Sequence, residues 1–104
     1  MKKCAHPVFV QKLKPSFWHK LYYFYYVAHF KSYSRASQVL QIAQPILSRE
    51  IQALEQRLNT LLLVRYKRRP IEITSAGQFL LTQVESIFCA LQAIEQAFYG
   101  KTSD

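Results

Sequence analysis

A single amphipathic helix, predicted from Gln44 to Asn59, is the feature that most constrains the fold. Its apolar residues recur at spacings of four, three and four, so they share one side of the helix: Leu47, Ile51, Leu54 and Leu58. Pro45 falls in the first turn, where a missing N–H costs nothing. Asn59 follows the last apolar residue and can adopt the left-handed conformation that ends a helix. This stretch therefore predicts a helix with one buried face and one face in solvent.

The outward face of this helix carries side chains suited to reading DNA: Pro45, Ser48, Arg49, Gln52 and Gln56. In the major groove, Gln can bond adenine through two hydrogen bonds, Ser can bond several base edges, and Arg can hold guanine or a phosphate. An ordinary solvent-exposed face explains the same residues equally well. The neighbouring segments therefore have to decide between the two interpretations.

The charge of the chain favours an anionic partner. The formal net charge is +8 over 104 residues, and the sequence pI is near 9.7, which is typical of proteins that bind nucleic acid or an anionic surface. Eight Lys and Arg residues precede the first acid, Glu50, and between Ser75 and Gly100 the only charges are Glu85 and Glu95. The positive charge therefore belongs to the first two-thirds of the sequence.

Several functional classes are disfavoured. Cys4 and Cys89 are far apart, which indicates a reducing compartment and no disulfide framework. Cys4 with His6 is too small a ligand set for a metal site, and the absence of a Gly-rich phosphate loop or a nucleophile–base pair argues against an enzyme or a cofactor. No apolar run approaches the roughly 20 residues of a membrane span, and the basic start lacks the apolar core of a signal peptide. We therefore expect a cytoplasmic protein with no catalytic residue, metal, cofactor or membrane attachment.

The segment before the amphipathic helix begins with a basic, aperiodic stretch over residues 1–15, which is expected to be a flexible arm. A first helix is predicted from Ser16 to Phe30. Its inner stripe and the apolar residues beside it are Leu21, Phe24, Tyr25 and Ala28, with Trp18 and Val27. The aromatic run from Tyr22 to Tyr26 is interpreted as core, and base stacking is the alternative.

A short second helix is predicted to start at Ser32 or Ser34 and to end near Leu40. Its buried residues are expected to be Ala36, Val39 and Leu40. Residues 41–43 then form a tight turn that leads into the amphipathic helix. A short helix, a tight turn and a helix with a polar outer face together predict a helix-turn-helix.

After Asn59 the pattern changes to two short aliphatic runs, 61–64 and 71–73, which predict the two strands of a hairpin. The loop between them, which ends at Pro70, holds four cations: Arg65, Lys67, Arg68 and Arg69. Such a cluster beside a helix-turn-helix favours contact with the adjacent minor groove or its phosphates. A solvated basic turn is the alternative.

A long helix is predicted over residues 75–99, with Ser75 or Thr74 as its cap. Apolar residues alternate along it at spacings of four and three: Leu80, Val84, Ile87, Leu91, Ile94 and Phe98. A rod of roughly 36 Å cannot bury this whole stripe on a small domain, so we expect a homodimer. The predicted fold is mainly α, with a winged helix-turn-helix of three helices and a two-stranded wing over 16–74, a dimerisation helix over 75–99 and a tail over 100–104.

These residues resemble the N-terminal DNA-binding region of LysR-type transcriptional regulators. In the first two helices the match consists of Leu21, Phe24, Val27, Ala28, Ser32-Tyr33-Ser34-Arg35-Ala36-Ser37 and Leu40. In the turn and the third helix it consists of Ile42-Ala43-Gln44-Pro45, Leu47-Ser48-Arg49, Ile51 and Leu54-Glu55. Beyond that helix it consists of Leu62-Leu63, Arg65, Ile73-Thr74 and Ala76-Gly77.

The resemblance implies a nucleoid-associated dimer whose linker helices pair, usually antiparallel, and which binds double-stranded DNA at an interrupted palindrome near a promoter. It implies that Gln44, Pro45 and Ser48 face bases, that Arg49 helps to hold the DNA backbone, and that Arg65 and the loop after it belong to the wing. With the other polar and basic residues of these segments, the expected DNA contacts are Arg35, Gln44, Pro45, Ser48, Arg49, Gln52, Arg65, Lys67, Arg68 and Arg69.

The sequence also departs from the pattern that it resembles. Lys31 stands where glycine is common, Ser37 replaces a usual alanine, and Asn59 replaces a glycine. Ala43 replaces a frequent serine, so a capping oxygen worth about 1 kcal/mol is absent.

Such regulators also carry a C-terminal effector-binding domain, whereas this sequence stops at Asp104. We therefore expect an excised fragment or a natural short form that binds no small-molecule effector. One alternative function is a dominant-negative partner that pairs with full-length regulators. Another is non-specific coating of RNA or DNA through the basic arm and the aromatic run.

Overall fold

The structure is a computed structural model that describes residues 15–99. Its helices are α1 (Pro15–Phe30), α2 (Tyr33–Leu40), α3 (Gln44–Leu58) and α4 (Ser75–Phe98), and its strands are β1 (Leu63–Val64) and β2 (Glu72–Ile73). The strands pair antiparallel, with Leu63 opposite Ile73. The mainly helical, winged helix-turn-helix fold is therefore confirmed. The arm residues 1–14, including Cys4 and His6, and the tail 100–104 lie outside the described residues.

The helices match their predicted bounds to within one residue, and the strands are shorter than predicted. Helix α1 begins at Pro15, one residue earlier than predicted. The wing strands have two residues each, whereas the aliphatic runs predicted strands over 61–64 and 71–73. The reason is that Leu62 and Ile71 are buried as core residues at the ends of the hairpin without belonging to its ladder.

The core lies where α1 packs across α2, α3 and the first half of α4. It consists of Leu21, Phe24, Val27, Ala28, Tyr33, Ala36, Leu47, Ile51, Leu54, Leu62, Leu63, Ile71, Leu81 and Val84. Within the aromatic run, Phe24 is completely buried and Tyr25 is half-buried against Phe88, with ring centroids 5.0 Å apart. This packing agrees with the interpretation of the run as core, except at Tyr22, which is 41% exposed.

Three apolar residues that the periodicity assigned to a buried face or beside one are exposed. Trp18 is 48% exposed because it lies one turn before Leu21, where the buried stripe of α1 starts. Val39 is 53% exposed because the inward side of the short helix α2 runs through Tyr33, Ala36 and the half-buried Leu40 instead. Leu58 is exposed because it is the last residue of α3, beyond the part that the core covers.

The first three helices end in left-handed residues, and none of these is glycine. Lys31, Gln41 and Asn59 have φ values of 53°, 58° and 58°. Asn59 was predicted to end α3, and this is confirmed. Lys31 adopts the conformation that explains why glycine is common at its position, because only glycine reaches positive φ without steric cost.

Helix starts differ in how they are capped. The Ser32 side chain caps α2 by accepting a hydrogen bond of 3.0 Å from the Arg35 backbone N–H, so Ser32 rather than Ser34 is the cap. Ala43 precedes α3 and makes no side-chain capping bond, as its methyl group requires. Pro45 lies in the first turn of α3, as predicted.

The junction between the wing and α4 depends on Thr74 and Gly77. The Thr74 hydroxyl oxygen accepts a hydrogen bond of 3.0 Å from the Gly77 N–H and donates to the Leu61 carbonyl at 2.7 Å. Thr74 is therefore the cap, and Ser75 is the first helical residue. A β-carbon at Gly77 would clash with the Leu62 carbonyl oxygen, so only glycine allows α4 to start this close to the wing.

The apolar stripe of α4 is divided rather than continuous. Val84, predicted to face a partner, is 1% exposed because it packs into the core of its own chain together with Leu81. Leu80 and Ile87 are half-buried. Beyond them Leu91, Ile94 and Phe98 are 58%, 54% and 71% exposed. Within the described residues, no helix has both the length and the apolar character needed to cross a membrane.

Candidate DNA-binding surface

The outward face of α3 is polar and open to solvent. Gln44, Pro45, Arg49 and Gln52 are exposed, and Ser48 is half-buried among them. The opposite face is completely buried through Leu47, Ile51 and Leu54. Because three consecutive turns are anchored in the core, the side chains of the outward face are presented from a rigid backbone.

An ion pair adds a second support for α3. The Lys20 ammonium on α1 lies 3.1 Å from the Glu50 carboxylate on α3, and both side chains are only partly exposed. A pair with this much solvent access contributes on the order of 0.2–1 kcal/mol. The charge pattern of the sequence marked Glu50 as the first acid but did not predict its partner, which lies 30 residues away on another helix.

The wing is attached to the last turns of α3 by Glu55. One carboxylate oxygen of Glu55 accepts hydrogen bonds from the Leu62 N–H at 2.8 Å and from the Leu63 N–H at 3.2 Å. Charge-assisted bonds of this kind are among the stronger hydrogen bonds in proteins. Sequence reasoning included Glu55 only as part of the family match and assigned it no role. The structure shows that it orients the wing relative to the helix.

Arg65 lies at the junction of the wing with the helix-turn-helix. Its guanidinium carbon is 3.9 Å from the centroid of the Tyr33 ring, which is a cation–π contact. Burial raises the pKa of the Tyr33 hydroxyl, and the charge of Arg65 opposes that shift. Tyr33 was part of the family match, but its contact with Arg65, 32 residues away, was not predicted.

Two depressions meet at Arg65. The smaller is lined by Arg65 with Gln44, Pro45 and Ser48 from the start of α3. The larger, of about 510 Å³, lies between the wing and the start of α2. Its cationic side chains are Lys31, Arg65, Lys67 and Arg69. A concave surface lined by this many cations attracts phosphate oxygens.

The wing loop has its own internal contacts. The Tyr66 hydroxyl donates a hydrogen bond of 3.0 Å to the Glu72 carboxylate across the hairpin, and this bond raises the pKa of Tyr66. The Arg69 guanidinium carbon lies 4.1 Å from the centroid of the same ring. Lys67 and Arg68 are exposed. The loop therefore presents its charges outward from a braced turn.

Not all predicted DNA contacts converge on this junction. The Arg35 guanidinium carbon lies 4.9 Å from the centroid of the Phe30 ring, so its side chain is directed towards the end of α1. Gln52 lies two turns further along α3, where it lines a separate depression with Glu55 and Gln56. The structure thus groups Gln44, Pro45, Ser48 and Arg65, and the others extend the surface in both directions.

Comparisons with known proteins identify the class of this fold. The family model for the bacterial regulatory helix-turn-helix protein, lysR family, matches residues 18–78. The HTH-type transcriptional regulator CatR of Pseudomonas putida is 48% identical over 63 residues, which are 61% of this chain and 21% of CatR. The nitrogen assimilation regulatory protein nac of Escherichia coli is 40% identical over 91 residues, which are 81% of this chain and 30% of that protein.

A solved structure agrees with these sequence relatives. The crystal structure of the BenM DNA-binding domain with catB site 1 DNA superimposes with a TM-score of 0.72 and 32% sequence identity, and the match covers 83% of this chain and 96% of that one.

The fold and the matched residues define a winged helix-turn-helix DNA-binding domain of a bacterial transcriptional regulator. The chain belongs to the LysR family. It spans less than a third of the length of either curated relative. Those relatives are transcriptional regulators rather than enzymes, in agreement with the function that the residues predicted.

Proposed function

We propose that this chain binds double-stranded DNA in a sequence-specific manner, with α3 in the major groove and the wing on the adjacent minor groove or its phosphates. In this arrangement Gln44, Pro45 and Ser48 face base edges, and Arg49 helps to hold the DNA backbone. The cationic loop after β1 supplies the contacts that depend on charge and not on sequence. Arg35 and Gln52 extend the same surface along the helix-turn-helix.

The observation that carries this proposal is the convergence of unlike chemistry at one junction. Amide and hydroxyl groups at the start of α3 line a depression together with Arg65. Arg65 also lines the basic depression beside the wing. Base recognition requires polar groups held at the groove, and affinity requires cations for the phosphates. Both sets of groups lie side by side on rigid elements.

A relative of known structure supports DNA binding by this fold. The DNA-binding domain of BenM, which matches 83% of this chain, was solved in complexes with catB and benA site 1 DNA. At 32% and 33% identity the resemblance extends beyond the fold alone. We infer that this chain uses the equivalent surface for a duplex of its own.

We further propose that the chain acts as a homodimer on an interrupted palindrome. The second half of α4 exposes three large apolar side chains on successive turns: Leu91, Ile94 and Phe98. Pairing two such helices would remove this surface from water and would set two copies of α3 in a fixed relation. The half-buried Leu80 and Ile87 lie at the margin of this proposed contact between two copies of α4. Val84 lies in the core of its own chain and is not part of the contact.

Selection of bound duplexes from a random DNA pool tests the proposal. We expect the selected sequences to share two related half-sites, and we expect the preferred duplex to bind far more tightly than a scrambled duplex at the same salt concentration. A single strand of the preferred sequence serves as the control. Equal binding to single strand and duplex would contradict sequence-specific readout and would favour non-specific coating.

The exposed half of α4 also favours a second candidate function, in which the chain pairs with a full-length regulator and inactivates it. Mixing the chain with a full-length LysR-type relative tests this candidate. Heterodimers that bind the relative's operator less tightly than its homodimer would support it. Exclusive homodimers of each protein would contradict it.

A further inference from the structure

The direction of the Arg65 side chain determines whether α3 and the wing form one surface. Arg65 follows β1, so its backbone moves with the wing. Its side chain lines the depression at the start of α3. It also lines the depression between the wing and α2. Gln44 on α3 lines both depressions too, so Arg65 is the residue by which the wing reaches the place where they meet. A freely rotating arginine would leave that place for much of the time.

The ring of Tyr33 is a fixed support for this side chain. Tyr33 is buried in the core, and it is the first residue of α2, directly after the Ser32 cap. The Arg65 guanidinium carbon lies 3.9 Å from the ring centroid, within the range of a cation–π contact. Arg65 itself is exposed, so its outer edge stays available to a ligand. The ring therefore restrains the guanidinium without enclosing it.

A second aromatic contact in the wing does not provide the same restraint. Arg69 lies over the Tyr66 ring at 4.1 Å, but both residues belong to the wing loop. Tyr66 is also exposed, and its hydroxyl is tied to Glu72 on β2. This pair moves with the wing as a whole. Of these two cation–π contacts, the one between Tyr33 and Arg65 joins the wing to the helical core.

We propose that Tyr33 is a positioning residue for DNA binding, whose ring holds the Arg65 guanidinium at the junction of α3 and the wing so that both contact DNA as one preformed unit. Tyr33 itself does not touch the DNA. It acts by reducing the rotamer freedom that Arg65 would otherwise lose on binding. The inference rests on the proposed function, because it requires Arg65 to face DNA.

Two substitutions at Tyr33 separate the ring from the hydroxyl. Tyr33→Phe keeps the ring and should bind the preferred duplex within about twofold of the parent chain. Tyr33→Leu removes the π face and should lose about fivefold in affinity, a loss typical of an exposed cation–π contact. It should also lose part of its preference over a scrambled duplex. The dependence on salt should stay close to that of the parent, because no cation has been removed.

A double-mutant cycle tests whether Tyr33 acts through Arg65. In an Arg65→Ala background, Tyr33→Leu should cause no further loss of affinity, because the side chain that the ring positions is absent. Phe17→Leu provides a matched control. The Arg57 guanidinium carbon lies 5.1 Å from the Phe17 ring centroid, and neither residue lines the two depressions that meet at Arg65. This change should leave DNA affinity unaltered.

Thermal unfolding checks that each variant is folded. Tyr33→Met provides a second variant without the ring, because its flexible thioether can fill the irregular space that the ring leaves. In the parent chain, upfield shifts of the Arg65 side-chain protons would report the ring contact without any substitution. Parental affinity in a folded ring-free variant would overturn the proposal. Additive losses of affinity for Tyr33→Leu and Arg65→Ala would also overturn it. Equal losses for Tyr33→Phe and Tyr33→Leu would do the same. If the parent chain binds the selected duplex no more tightly than a scrambled duplex, the proposed function itself is wrong.

Discussion

The apolar residues of α3 and α4 recur at the same spacing, but those of α3 are buried more completely than those of α4. In α3, Leu47, Ile51 and Leu54 are completely buried. In α4, Val84 is equally enclosed, whereas Leu91 is more than half exposed. Helix α3 packs against both α1 and α2, whereas α4 packs on the domain through Leu81, Val84 and Phe88 and is exposed from Leu91 onwards. A repeating pattern identifies the residues that share a face, but the neighbouring elements determine what covers that face.

The largest expected difference between the two helices is in folding stability. Leu54→Ala should lower the free energy of unfolding by about 2–5 kcal/mol, because it leaves a cavity in a closed core. Leu91→Ala should change it by less than about 0.5 kcal/mol in the monomer, because that side chain is already largely in water. Urea denaturation at low protein concentration measures both. Similar losses in the two variants would show that the second half of α4 is packed on its own domain.

The features that sequence reasoning predicted well depend on local chemistry. The bounds of α3, its end at Asn59 and its proline in the first turn follow from residues within one helix. Helix α4 has the predicted start at Thr74 or Ser75 for the same reason. The basic loop between two strands was equally visible in the sequence, although the strands proved shorter.

The features that were missed depend on contacts between distant segments. The periodicity of α4 cannot reveal that Val84 is enclosed and Leu91 is open, since that depends on which residues of other elements pack against each of them. The sequence shows Glu55 only as an acid on a helix. Its hydrogen bond of 2.8 Å from the Leu62 N–H exists only in the folded structure. Tyr33 was only part of the family match, and its contact with Arg65 is visible only in the fold. These contacts fix the geometry of the candidate surface, and none of them follows from the spacing of residues within one element.

The exposed half of α4 leads to a prediction about assembly. Leu91→Asn would place an amide in the proposed contact between two copies of α4, where an unpaired polar group costs about 1–3 kcal/mol per subunit. The variant should sediment as a monomer at micromolar concentration, where we expect the parent to be a dimer. It should also lose tight binding to a full palindrome and keep weak, salt-sensitive binding to a half-site.

Two controls sharpen this test. Leu91→Ala removes apolar area without adding a polar group, so it should weaken the dimer less than Leu91→Asn does. Gln96→Ala changes an exposed polar position on the same helix and should leave the dimer intact. A parent chain that is monomeric at micromolar concentration, yet binds a palindrome tightly, would exclude α4 as the dimer contact.

The polar faces of the two helices should also differ in function. Gln44→Ala and Ser48→Ala should each relax base preference by about 1–3 kcal/mol at one or two positions in each half-site, because each removes a group that faces base edges. Gln96→Ala on α4 removes a similar amide at a position outside the proposed interface with DNA. It should leave the base preference at every position of the duplex unchanged. Binding of every single-base variant of the preferred duplex measures this. Unchanged profiles for both α3 variants would refute their assignment.

The smallest expected effect concerns the tip of the wing, where charge should act without sequence preference. Arg68 is exposed on the basic loop, so Arg68→Ala should weaken binding to all duplexes by a similar factor. The slope of log affinity against log salt should fall by roughly one, the value expected for one phosphate contact. Arg57→Ala removes the same charge from the last turn of α3, where the guanidinium lies over Phe17, and its slope should match that of the parent. Equal slopes for the parent and Arg68→Ala would mean that the wing tip is only solvated, and the contact with DNA would then be confined to α3 and the Arg65 junction.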